Sequence, residues 1–179
     1  GDTHAFITDP NGIGMTDLGT LGRFNSYARG INDSGQVVGF SGTSTVGGGP
    51  HAFITGPNGI GMTDLGTLGG DISYAYGIND SGQVVGHSEG RRRDDAFITG
   101  PNGTGMTDLG ALGGFHSNAL GVNDSGQVVG GSDTASGVYT HAFITGSNGI
   151  GMTDLGTLGG NYSYALGIND SGHVVGFSL

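Results

Sequence analysis

Histidine recurs at His4, His51 and His141, each directly before an Ala-Phe-Ile-Thr run, and Asp95 takes the equivalent place in the remaining copy. Three imidazoles and one carboxylate form a donor set that a transition metal accepts, should their strands line one channel. Near-identical repetition would present those donors as a planar ring rather than a tetrahedron, so an imidazole bonded to the backbone of a neighbouring unit is the simpler expectation. A second recurring set is the Asp of Met-Thr-Asp-Leu (Asp17, Asp64, Asp108, Asp154) with the Asn-Asp pairs that begin at Asn32, Asn79, Asn123 and Asn169. These are hard oxygen donors of the kind calcium takes, but their spacing matches neither the EF-hand loop nor a nonapeptide calcium roll. Turn and strand-end hydrogen bonding accounts for them instead. No cofactor is expected.

Catalysis needs one asymmetric constellation, whereas a residue repeated fourfold most simply serves the repeat. The chain has no Cys, hence neither thiolate chemistry nor a disulfide framework. Its single Glu, Glu89, stands in a variable connector, and nothing selects a working pair from the 14 Asp. No catalytic residue is assigned. Ligand binding would sit where the repeats differ. Arg91, Arg92 and Arg93 hold three of the five positive charges and could seize a carboxylate or sulfate, and Tyr139 lies in another variable connector. Tyr27, Tyr74 and Tyr164, replaced by Asn118 in the third copy, offer either stacking faces for sugars or packing between units.

The elements that must position these residues repeat. The segment His51–Gly86 recurs at His4–Gly39, Asp95–Gly130 and His141–Gly176. Equivalent alanines (Ala5, Ala52, Ala96, Ala142) are 47, 44 and 46 residues apart, while the step from each to the first residue of its Val-Val pair is always 32. All length variation therefore falls in the connectors. Each copy holds four short segments of strand character, such as His51–Thr55, Met62–Leu65, Tyr74–Ile78 and Gln83–Ser88. Pro57-Asn58-Gly59 and Asn79-Asp80-Ser81-Gly82 are turn signals, the second of a type I turn with a bulge. None of the segments shows a helical period.

Four strands at a period near 45 residues match one blade of a β-propeller. The expectation is thus an all-β chain, a single repeat domain over 1–179, with four blades closed by pairing His4–Thr8 with His173–Ser178. The connectors Gly42–Pro50, Glu89–Asp94 and Asp133–Thr140 would join neighbouring strands of one sheet. Leu65–Gly70 would cross from an outer strand to the next inner one. A two-sided solenoid is the structural rival.

The net charge is −10, with no Lys. Such a surface repels phosphate backbones, which excludes nucleic acid as a partner, and no apolar run is long enough for membrane insertion. Gly makes up 42 of the 179 residues, but it punctuates apolar runs that repeat in register, so disorder is not the reading. The opening Gly is read as the start of a trimmed or mature chain.

The recurring His-Ala-Phe, with Met-Thr-Asp-Leu-Gly-Thr-Leu-Gly-Gly and Gly-Ile-Asn-Asp-Ser-Gly-Gln-Val-Val-Gly, resembles the bacterial HAF-repeat family of extracellular proteins over essentially the whole chain. The resemblance implies a secreted or cell-surface location and little about activity. Family copies often carry Trp shortly after His-Ala-Phe, and this chain has Ile-Thr there. Only five positions separate His51–Gly86 from His141–Gly176, as recent duplication or consensus design would produce. The functional expectation is a non-enzymatic extracellular binding or scaffold module with a glycan or protein partner. A self-assembling surface protein, an undetected polysaccharide hydrolase or lyase, and a designed scaffold without natural function are the alternatives.

Overall fold

The computed structural model describes residues 1–44, 48–90 and 93–179. Apart from four one-turn 3-10 segments, every regular element among the described residues is a strand, and the chain is all-β. No helix there is long and apolar enough to cross a membrane. A hairpin of β1 (Phe6–Asp9) and β2 (Ile13–Asp17) comes first. Three antiparallel meanders follow: β3 (Gly22–Ile31), β4 (Val37–Thr43), β5 (Pro50–Thr55), β6 (Met62–Gly66); then β7 (Ile72–Ile78), β8 (Val84–Glu89), β9 (Asp94–Thr99), β10 (Met106–Asp108); then β11 (Gly113–Val122), β12 (Val128–Thr134), β13 (Thr140–Thr145), β14 (Met152–Gly156). A hairpin of β15 (Ser163–Ile168) and β16 (Val174–Ser178) ends the chain.

Each sequence repeat therefore straddles two sheets. Its first two strands finish one meander, and its last two begin the next. The variable connectors join β4 to β5, β8 to β9 and β12 to β13, which pair directly. The glycine-rich stretch after β6 crosses from the fourth strand of one sheet to the first strand of the next. One parallel bridge, His116 with Asp94, links the second and third meanders into a single eight-stranded sheet.

The turns follow from residue chemistry. In Pro57-Asn58-Gly59 the proline presets its own φ, and Asn58 and Gly59 both take left-handed backbone, with φ of 54° and 73°. Asn58 N–H and Gly59 N–H then donate to the carbonyls of Ser34 and Gly35, at 3.1 and 3.0 Å. This ties the two turns at one end of the meander together.

Alternation along the Val-Val strands distributes the core. Consecutive side chains point to opposite faces, so each pair serves two junctions between sheets. Val38 shares a buried cluster with Val84, Ala52, Ala75 and Phe97, and Val85 shares the next one with Val128, Ala96, Ala119 and Phe143. Val129 does the same toward Ala165 and Val174. Full burial of such a side chain contributes about 1.5–3 kcal/mol.

Buried polar atoms are satisfied across the same junctions. Ser73 Oγ accepts from Ala52 N at 2.9 Å and donates to Gly66 O, and Ser26, Ser117 and Ser163 repeat the arrangement. Asn32 Nδ2 donates to Asn79 O, Asn79 Nδ2 to Asn123 O, and Asn123 Nδ2 to Asn169 O, at 2.9–3.1 Å. The Asn-Asp-Ser-Gly turn is thus the polar seam between successive units.

One expectation is corrected. The strands at the two ends do not pair with each other: β1 pairs with β2, β16 with β15, and among the described residues no sheet closes. The first strands β3, β7, β11 and β15 pack in succession, and the asparagine chain along their turns has three links. The turns of all four units nonetheless border one cavity, lined by Asn32, Asn79, Asn123 and Asn169, so the array curves without its end strands pairing.

Candidate functional site

The repeated histidines are held within their own hairpins. His4 Nδ1 lies 2.7 Å from Asp17 Oδ2, His51 Nδ1 2.9 Å from Asp64 Oδ2, and His141 Nδ1 2.8 Å from Asp154 Oδ2. The expected bond to a neighbouring unit's backbone is not what forms, because the fourth strand of the same sheet already offers a carboxylate across the ladder. That carboxylate also accepts the amide two residues on, as in Asp64 with Gly66 at 2.7 Å. Hydrogen bonds from His4 and from Gly19 N–H hold the Asp17 carboxyl below its ordinary range. Burial pushes Asp154 upward, but hydrogen bonds from His141 and from Gly156 N–H outweigh it, and the net shift is downward.

Asp95 replaces the imidazole on β9. Burial, then the charge of Asp108, push its carboxyl up, while Arg93 pulls it back. His4, His51, Asp95 and His141 belong to four different hairpins: His51, Asp95 and His141 lie on β5, β9 and β13, two places out from the first strand of their meanders, and His4 precedes β1, separated from it by Ala5 alone. Among the described residues no three His, Asp or Glu side chains are grouped to hold a metal ion. Arg91 and Arg92 lie outside the described residues. Arg93 Nε sits 3.8 Å from Asp95 Oδ1. Tyr139, in the connector between β12 and β13, packs edge-on against Tyr162 at 6.1 Å.

Ser88 lies in Gly86-His87-Ser88-Glu89-Gly90, which spells the Gly-x-Ser-x-Gly pattern of a nucleophile elbow. That elbow requires a strand-to-helix turn. Ser88 instead lies buried within β8, accepts from Leu68 N at 3.0 Å and donates to Ile72 O at 3.1 Å. Ser41, Ser132 and Ser178 stand at the same repeat position and accept the equivalent leucine amides.

The departure from symmetry that makes a cleft lies between the second and third meanders. The residue after Val-Val-Gly is Phe40, His87, Gly131 and Phe177 in successive copies, and the residue after the buried first-strand serine is Tyr27, Tyr74, Asn118 and Tyr164. At the preceding junction Phe40 fills the space by packing edge-on against Tyr74, with centroids 4.9 Å apart. At the next one His87 faces Asn118, both smaller, and Gly131 leaves its place to the Tyr164 ring. A cleft of about 250 Å³ results, with His87, Asp94, His116, Asn118, Asp133 and Tyr164 among its walls.

Three sets of strands hold these walls. β9 and β11 place Asp94 against His116, Oδ2 to Nδ1 at 3.2 Å, where the parallel bridge joins the sheets. The β12–β13 ladder sets Asp133 to accept from Thr140 Oγ1 at 3.0 Å. Tyr74 and Tyr76 of β7 cover the His87 ring at 5.1 and 5.7 Å. Among the described residues, His87 Nδ1 and Asn118 Oδ1 are shielded from solvent and lack a partner of good hydrogen-bond geometry, while Asn118 is close enough to act on the His87 imidazole. An unsatisfied buried polar atom carries a desolvation cost of about 1–3 kcal/mol, and both residues belong to the walls of the cleft.

Burial pushes the His87 imidazole below its ordinary value near 6.5, against the weaker opposing pull of Asp94, Glu89 and Asn118. The folded state therefore binds this proton less readily than the unfolded chain, and His87's contribution to stability is complete above about pH 6.5 and declines as pH falls through it. Lowering the pH from about 7.5 to about 5.5 should reduce the melting temperature more in the wild type than in His87→Phe. Equal reductions in the two proteins would contradict the assignment.

No protein-family model matches the chain, and no curated protein matches it.

The ligand candidates read from sequence, Arg93 and Tyr139, are not walls of the cleft. The residues that are walls carried a signal all the same: His87, Asn118 and Gly131 are departures from columns otherwise filled by Phe or Tyr. What sequence did not reveal is that these departures converge on one junction.

Proposed function

We propose that this chain is a non-catalytic binding module of the extracellular HAF-repeat kind. Its meanders are propeller blades, and the cleft between the second and third of them takes a neutral polyhydroxylated ligand such as an oligosaccharide. The observation that carries the reading is the cleft itself, walled by His87, Asn118 and Tyr164 where the neighbouring junction is filled with aromatic rings. Asp94 and Asp133 add carboxylate acceptors, and Tyr164 adds an aromatic face. Acceptors around an aromatic wall suit a sugar, whose hydroxyls donate and whose C–H face packs on a ring. The net charge of −10 disfavours anionic ligands. Blade architecture is supported by repeated four-stranded antiparallel sheets whose first strands pack against one another. Surface location follows from the resemblance of the repeat.

The test is calorimetric titration with a panel of neutral oligosaccharides against wild type and the double variant His87→Phe/Asn118→Tyr, which restores the residues of the other copies. Saturable binding by the wild type and at least a tenfold loss in the variant are expected, since losing one buried hydrogen bond to a ligand costs about 1.4 kcal/mol or more. The reading fails if the folded variant binds as the wild type does, or if no sugar binds.

A further inference from the structure

Residues buried at every internal junction are bare at the two ends of the array. Val38, Val85 and Val129 are 0 % exposed, whereas Val175, at the same repeat position, is 66 % exposed. Phe53, Phe97 and Phe143 are likewise 0 % exposed, and their counterpart Phe6 is 49 % exposed. Leu158 is 94 % exposed, while its counterparts Leu68 and Leu112 pack against buried clusters.

The two bare ends are complementary halves of one sheet. The chain opens with the third and fourth strands of a meander, β1–β2, and closes with the first and second, β15–β16. Strand β1 lacks the second-strand neighbour that β5, β9 and β13 possess, and β16 lacks the corresponding third strand. Each end also has a vacancy where the other half would sit. One, of about 330 Å³, is lined by Phe6, Ile7, Ala28 and Ile31. The other, of about 360 Å³, is lined by Leu155, Leu158, Val175 and Phe177.

We propose that β16 of one copy pairs with β1 of a second copy, completing a fourth meander across the interface. The register is that of β4 with β5, where Val38 faces Ile54, Gly39 faces Phe53, Phe40 faces Ala52 and Ser41 faces His51. Transposed, it sets Val175 opposite Ile7, Gly176 opposite Phe6, Phe177 opposite Ala5, and Ser178 opposite His4. Phe6 of the second copy then enters the vacancy beside Leu155 and Leu158, and Val175 enters the one beside Ala28 and Ile31. The occupant is a second copy because the junction is one that this chain already builds three times, with the same residues in the same register. The chain's own opposite end does not serve in this structure, where β1 and β16 are unpaired with each other. The contact is heterologous, so copies add head to tail, and the turn per unit decides between a ring and a filament. Unpaired strand edges carrying apolar side chains recruit partners in this way. The argument is independent of the cleft at His87.

Sedimentation equilibrium of the 179-residue chain should show a weight-average mass that doubles or more as concentration rises. Phe6→Asp blocks one end and Val175→Asp the other, at positions exposed in the single chain, so each variant keeps its fold by circular dichroism. Each alone should remain monomeric, and an equal mixture should form a dimer that grows no further, through the two unblocked ends. As a check that needs no disruptive charge, His4→Cys/Ser178→Cys places one thiol at each end of a chain that has no other cysteine. Oxidation should yield a ladder of linked copies. A monomeric wild type at every concentration, single variants that associate as the wild type does, or a disulfide formed within one chain would each overturn the proposal. The last result would mean that the chain closes on itself.

Discussion

Replacing Phe97 by Ala should lower the free energy of unfolding by about 3–5 kcal/mol, a large part of the total stability of a domain this size. Phe97 is fully buried in the cluster that joins the first meander to the second, among Val38, Ala52, Ala75 and Val84. Truncation removes a whole ring from a junction walled by strands on both sides, so the cavity has little means of collapse. Because each sheet touches only its neighbours, the loss falls on one junction. Urea unfolding should therefore show an earlier midpoint and a second step as the array divides there. Phe115, 63 % exposed on the first strand β11, is the control, and its Ala variant should change stability by no more than about 0.5 kcal/mol. A Phe97 variant as stable as the Phe115 variant would refute the claim that packing between sheets holds the array together.

Gly86→Ala should cost about 3 kcal/mol or more, or prevent folding, for a backbone reason. Gly86 pairs with Ala75 where the β7–β8 register shifts around a bulge. A Cβ there would overlap the carbonyl oxygen of Tyr74, which is main chain and cannot swing aside without breaking the ladder. Gly39, Gly130 and Gly176 stand in the same situation against Tyr27, Asn118 and Tyr164. Gly167→Ala is the contrast: its Cβ would meet only Val175 Cγ2, at an ordinary 3.5 Å, and the change should cost less than about 1 kcal/mol. Thermal unfolding of the two variants separates the cases. Equal melting temperatures would show that the bulge yields and the close approach carries no constraint.

Much of the local structure was legible. The four strand segments, the Pro-Asn-Gly and Asn-Asp-Ser-Gly turns, the pairing across each variable connector and the crossover through the glycine-rich stretch all follow from period-two patterning and turn chemistry. Those are properties of a few adjacent residues, so a single sequence carries them. The candidate site was legible only as a set of irregularities. His87, Asn118 and Gly131 are visible substitutions, but they fall in different copies, and their meeting depends on the forward face of one meander lying against the backward face of the next. The Arg91–Arg93 run stands out by contiguity, and of it only Arg93 is among the described residues, where it lies beside Asp95.

The repeat by itself determined that the chain is all-β, that each copy holds four strands, and which residues must point to opposite faces, because alternation and turn residues act over distances of a few residues. Only the tertiary structure decided how those strands divide into sheets that cut across the sequence repeats, which histidine meets which carboxylate, and that the two ends stand apart with their apolar faces bare. These depend on contacts between residues far apart in sequence, made at the junctions between sheets, and they are written in no single copy of the repeat.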